Sequence, residues 1–157
     1  MADENIRNKA QAESTATAVW RGSLVDGKGE ITESGSGAFG HLPVTWAART
    51  TDANPEQTTP EELLAAAHAA CYAMAFSHAL AGAGSPADQL EVKATVGFDP
   101  KAGGGMEVSF SHLDVTGTVP GLDQAKFAEL AHKGEAGCPV SNALRGNVQI
   151  ILHANLA

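Results

Sequence analysis

The stretch from Thr59 to Gly84 constrains this chain most. Thr59-Pro60-Glu61-Glu62 puts a hydroxyl at a helix N-cap, proline at the first helical position and a glutamate at the third. That completes a capping box. Glycine at Gly82 or Gly84 stops the helix. Between these ends Leu63, Leu64, Ala67, Ala70, Met74, Phe76 and Leu80 do not keep to one stripe. A helix that is apolar all round is a buried helix, and its alanines let another backbone come close. His68, Tyr72, Ser77 and His78 interrupt the apolar run, so it falls short of the roughly 18 apolar residues a membrane span needs.

Short alternating segments surround this helix. Val19 to Val25 reads as a first strand, with a turn at Asp26-Gly27 and a returning strand over Glu30 to Glu33. Leu42 to Ala48 reads as a third strand, and Thr50 to Thr59 as a polar loop. After the helix, Gln89 to Phe98 and Met106 to Val119 form a long hairpin closed by Lys101 to Gly105. Asp123 to Glu135 is an amphipathic helix with Phe127, Leu130 and Ala131 inward. A short helix starts at Gly137-Cys138-Pro139 and ends near Arg145-Gly146, and Val148 to Leu152 is a last strand. Strands, helix, strands, helices and strand make an α+β domain with mainly antiparallel sheets. Residues 16–157 are expected to form one domain behind a polar tail, Met1 to Thr15.

Composition narrows the function. Eighteen acids against ten bases leave a formal charge of −8, which argues against nucleic acid or an anionic membrane as partner. No leader pattern opens the chain, so the cytoplasm is the default location. Cys71 and Cys138 are the two cysteines. Two thiols cannot build a disulfide scaffold or a four-thiolate zinc site. They remain either two buried thiols, one structural bridge or a working redox pair. Cys71 lies mid-helix, where a small core hydrophobe is the plain reading. Cys138 precedes Pro139 at a helix start, where backbone N–H groups favour a thiolate. There is no C-x-x-C, and His68 is the one histidine close to Cys71 in sequence, so neither a thioredoxin-type site nor a metal site is expected. No cofactor is called for.

Thr59 to Ala75, with the run Ala65-Ala66-Ala67-His68-Ala69-Ala70-Cys71, closely resembles the first cysteine helix of the OsmC/Ohr family. Gly137-Cys138-Pro139-Val140-Ser141-Asn142-Ala143-Leu144 resembles its second cysteine motif, and the likeness extends over about residues 16 to 157. The details look more like the osmotically inducible branch than the organic hydroperoxide resistance branch. The resemblance implies an intertwined homodimer and a thiol-dependent peroxidase that prefers organic hydroperoxides. It implies Cys71 as the peroxidatic thiol, Cys138 as the resolving thiol, and a dihydrolipoyl-type dithiol as reductant. The family glutamate matches Glu61. The family arginine matches Arg49, with Arg21 as the alternative; Arg7 lies in the tail and Arg145 reads as structural. Trp46, Phe39, Met74 and Phe76 are candidates for an apolar substrate pocket, although core packing is the commoner role for such residues. A thioredoxin-fold peroxiredoxin fits poorly, because His68 stands where its threonine is expected. The rival of another class is a dimeric ligand-binding stress protein with inert cysteines.

Glu61 precedes Cys71 by ten residues, which is roughly 15 Å along a straight helix. Glu61 therefore does not reach the Cys71 of its own helix. Two such helices packed antiparallel about a two-fold axis near Ala66 would bring Glu61 of one chain to Cys71 of the other. Glu62 is accounted for by the cap; Glu61 is left to meet a cation or, more plainly, the helix dipole.

Overall fold

The fold was analysed in a computed structural model, which describes residues 10–50 and 54–157. Most of the expected tail, and part of the Thr50 to Thr59 loop, lie outside the described residues. Contacts group the chain into two compact units, one ending at Thr59 and one running from Pro60 to Ala157.

The first unit is a three-stranded antiparallel meander of β1 (Ala16–Arg21), β2 (Lys28–Ser34) and β3 (Gly40–Val44), followed by a short helix α1 (Trp46–Thr50). Strand β1 ends earlier than the sequence predicts. Gly22 adopts a φ of 90°, which glycine tolerates at no steric cost, and the chain turns there. Gly27 N–H then closes on the Ser23 carbonyl at 2.8 Å, while the Ser23 hydroxyl accepts from Asp26 N–H at 3.2 Å. Ser23 to Val25 therefore belong to the turn rather than to the strand. The third strand also stops short of Ala48. The Thr45 hydroxyl accepts from the Ala48 N–H at 3.2 Å, an N-terminal cap that commits Trp46 onward to helix.

The second unit opens with α2 (Pro60–Gly82), whose bounds are those the capping box and glycines predict. Strands β4 (Gln89–Pro100) and β5 (Met106–Thr118) form the long antiparallel hairpin. Helices α3 (Gln124–Ala136) and α4 (Pro139–Leu144) follow, and β6 (Gln149–Leu156) completes a sheet of order β4-β5-β6. Asp123 caps α3 by accepting the Lys126 N–H at 2.8 Å. Strand β6 runs parallel to β5. The two helices between them supply the long crossover that a parallel pair needs. One core joins α2, α3 and the sheet: Phe76 lies 5.7 Å from Tyr72 and 5.0 Å from Phe127, ring centre to ring centre. The helices approach closely where Gly134 faces Phe76, since an added Cβ would lie 2.8 Å from the Phe76 Cα.

Within a single chain, helix α2 is buried on one face only. Glu61, His68, Tyr72, Phe76, Ala79 and Leu80 are buried, whereas Met74 is 68% exposed and Ala66, Ala67 and Ala70 are also exposed. Its alanines also carry an 18-residue window to a mean hydropathy of 1.4, so by length and composition α2 could cross a membrane. The count of interrupting residues suggested otherwise. Its face toward β4 and α3 is nevertheless that of a core helix, carrying a histidine and a tyrosine that both hydrogen-bond to the protein.

Candidate active site

Cys71 and Cys138 come together in the second unit, both as free thiols. Cys71 sits mid-way along α2 and is half-buried; Cys138 is fully buried. Cys138 is the N-cap of α4, with φ −77° and ψ 117°, and its sulfur accepts the Ser141 N–H at 3.5 Å. Pro139 at the first turn suits that start. Cys71 packs against the buried cluster that contains Cys138, and both the Cys138 side chain and the Val140 backbone act on its titration. Burial pushes the Cys71 thiol up, the Val140 backbone pulls it down, and Cys138 adds to the upward shift. Within one chain, then, Cys71 is held as a thiol beside its neighbour, and a further positive group is needed to favour the thiolate.

His68 explains how the two cysteines are held. It is fully buried, one turn before Cys71. Its Nδ1 hydrogen-bonds to the Ser111 hydroxyl of β5 at 2.6 Å, and its Nε2 to the Ser141 hydroxyl of α4 at 2.8 Å. Burial lowers its pKa, against an upward pull from Glu135, so the ring is neutral at pH 7. A neutral imidazole between two hydroxyls ties the cysteine helix to the sheet and to the cap that carries Cys138. His68 is thus a satisfied buried residue and a positioning one. Its partners escaped the sequence reading, although the signal was present: His68 stands three residues before Cys71 and Ser141 three after Cys138. Helical spacing puts each residue on the same side as its cysteine.

Glu61, in the first turn of α2, is 6% exposed, whereas Glu62 is exposed. Glu61 and Cys71 share one unbroken helix, so about 15 Å separates them within a chain. Within one chain the structure packs Cys71 against the cluster that holds Cys138 and keeps Glu61 apart from Cys71. Arg49 belongs to the first unit, in the last turn of α1, with its guanidinium 5.9 Å from the centre of the Trp46 ring. Arg21 ends β1 and is exposed. Arg145 ends α4 and pairs with Glu135 at 2.6 Å, the structural role expected of it. Of the apolar pocket candidates, Phe76 is core and Met74 is exposed on α2; Trp46 and Phe39 lie in the first unit.

Residues 51–153 match the family described as OsmC-like protein. The chain is 34% identical over 145 residues to the peroxiredoxin OsmC of Escherichia coli, covering 92% of this chain and 94% of that one. It is 33% identical over 105 residues to the organic hydroperoxide resistance protein of Xanthomonas axonopodis pv. citri, covering 64% and 68%. Among solved structures, the organic hydroperoxide resistance protein of Elizabethkingia anophelis superposes with a TM-score of 0.70 at 25% identity, over 94% of this chain and 100% of that one. The organic hydroperoxide resistance protein OhrB of Bacillus subtilis gives 0.66 at 28%, over 90% and 98%. With its two cysteine motifs, its α+β fold and this match over most of its length, the chain belongs to the OsmC-like family.

Proposed function

We propose that this protein is a thiol peroxidase that reduces organic hydroperoxides to alcohols. One observation carries the reading: the half-exposed Cys71 packs against the buried cluster holding the second thiol, Cys138, which caps a helix. The difference in exposure supports Cys71 as the attacking sulfur, which substrate must reach, and Cys138 as the resolving one, which only its partner need reach. The names of the relatives, a peroxiredoxin and organic hydroperoxide resistance proteins, support the same activity.

The Cys71 thiolate attacks a peroxide oxygen, the O–O bond breaks, and the alkoxide leaves and is protonated to the alcohol. Sulfur is oxidised to sulfenic acid. Cys138 then attacks it, an S–S bond forms and water leaves. A dithiol of dihydrolipoyl type returns two electrons by thiol–disulfide exchange. Arg49 lowers the Cys71 pKa and binds the peroxide oxygens, held in a bidentate pair by Glu61; Arg21 is the alternative arginine. A reducing compartment such as the cytoplasm suits this cycle.

The working form is a homodimer with a shared site. The exposed stripe Ala66, Ala70 and Met74 on α2 supports a close helix pair about an axis near Ala66. That arrangement supplies the Glu61 that Cys71 cannot reach within its own chain. The test is consumption of cumene hydroperoxide with dihydrolipoamide as reductant. Wild type is expected to turn over and Cys71→Ser to be inactive. Equal rates in the two proteins would favour a binding protein with inert cysteines.

A further inference from the structure

On the face of the β4-β5-β6 sheet opposite α2, three metal-ligating side chains converge. Ser111, Leu113 and Val115 of β5 point into the core, so His112 and Asp114, alternating with them, point the other way. Strand β6 lies parallel to β5 with His153 directly paired to Asp114, which places its side chain on the same face. His112 Nε2 lies 3.1 Å from His153 Nδ1 and 3.4 Å from Asp114 Oδ1. His153 Nδ1 lies 3.5 Å from the same carboxylate oxygen.

These separations form a nearly equilateral triangle. An ion bound at about 2.0–2.1 Å from each of three donors, with angles from octahedral to tetrahedral, holds those donors about 2.8–3.4 Å apart, and the separations here lie at the upper, tetrahedral end of that range. Hydrogen bonding accounts for the 3.1 Å contact between the two rings. Here the carboxylate oxygen sits at the long limit for a hydrogen bond to both rings. The rings are at 88° to each other, so their nitrogens converge without stacking. All three residues stand on paired strands rather than loops, which holds them in register. We propose that His112, Asp114 and His153 bind a divalent transition-metal ion of the zinc class. Two imidazoles and one carboxylate suit that class. The partial exposure of all three side chains, 26%, 45% and 63% in the order His112, Asp114, His153, leaves a fourth position for water. Nothing in the thiol chemistry uses this site.

The test is equilibrium dialysis of the full chain, without an affinity tag, against zinc chloride. A Cys71→Ser/Cys138→Ser background removes thiol binding. About one equivalent of zinc is expected, with affinity falling at least about tenfold in His153→Ala and in Asp114→Asn and unchanged in His78→Ala. His153 is mostly exposed, and circular dichroism confirms that each variant is folded; His153→Gln replaces any that is not. No bound zinc, or an affinity indifferent to both His153 and Asp114, overturns the proposal.

Discussion

Ser141→Ala tests the bridge that holds the two cysteines together. Ser141 and His68 are both fully buried, and their hydrogen bond is 2.8 Å long. Deleting the hydroxyl leaves Nε2 in the interior without a partner, a desolvation loss of about 1–3 kcal/mol. Ser111→Ala strands Nδ1 in the same way. Replacing all three polar groups, as His68→Leu with Ser111→Ala and Ser141→Ala, removes every stranded atom and recovers much of that loss. The assay is urea unfolding of the reduced protein at one fixed protein concentration, since association shifts apparent stability. A Ser141→Ala variant within about 0.5 kcal/mol of wild type, the range of an ordinary surface change, would refute the bridge. So would a triple variant less stable than Ser141→Ala alone. The same residues predict a pH dependence. His68 has a lower pKa folded than unfolded, so below about pH 6.5 the unfolded chain takes up a proton that the native site refuses. Stability contributed by the neutral ring is therefore complete above that pH. It declines as the pH falls toward the folded pKa and changes no further below it. The triple variant lacks this component, and the difference between the two proteins' pH profiles reads it directly.

Gly134→Ala brings a Cβ to 2.8 Å from the Phe76 Cα and 3.0 Å from its Cβ. The gain in helix propensity, about 1 kcal/mol, is outweighed by an overpacking loss of about 1–3 kcal/mol, so urea unfolding is expected to show net destabilisation; a gain would contradict the close approach of α2 and α3. Mixing Glu61→Gln with Cys71→Ser tests whether the site is shared. Each variant alone is impaired, but a mixed dimer pairs the intact Cys71 of one chain with the intact Glu61 of the other. With random exchange half the dimers are mixed and each carries one complete site, so activity rises to about a quarter of wild type. Activity after mixing no higher than the mean of the two variants would show that Glu61 does not act across chains.

What was legible in the sequence was what local chemistry decides. The α2 start follows from Thr59, Pro60 and Glu62, and its end from glycine. Asp123 marks the start of α3, and Pro139 that of α4, at the turn Cys138 caps. The turn at Gly22 and the Thr45 cap were legible in principle, but an alternating apolar pattern outweighed them and lengthened two strands. Pairing decided over long separations was not legible. The parallel direction of β6 follows from how α3 and α4 pack, and the meeting of His112, Asp114 and His153 depends on that register. The partners of His68 lie 43 and 73 residues away, so its role as a tie between elements emerges only in the folded chain. Which face of α2 a single chain leaves exposed was not legible for a different reason: alanine lowers the polarity of a face without showing what covers it.

The central claim is that Cys71 attacks and Cys138 resolves. It is tested most directly by counting free thiols in reduced protein before and after one equivalent of cumene hydroperoxide, with peptide mapping of the product. Wild type is expected to lose both thiols and yield a single Cys71–Cys138 cross-linked peptide. Cys138→Ser should lose its Cys71 thiol as a trappable sulfenic acid, and Cys71→Ser should keep Cys138 free. Loss of the Cys138 thiol in Cys71→Ser at the wild-type rate, or two intact thiols in treated wild type, would contradict the account.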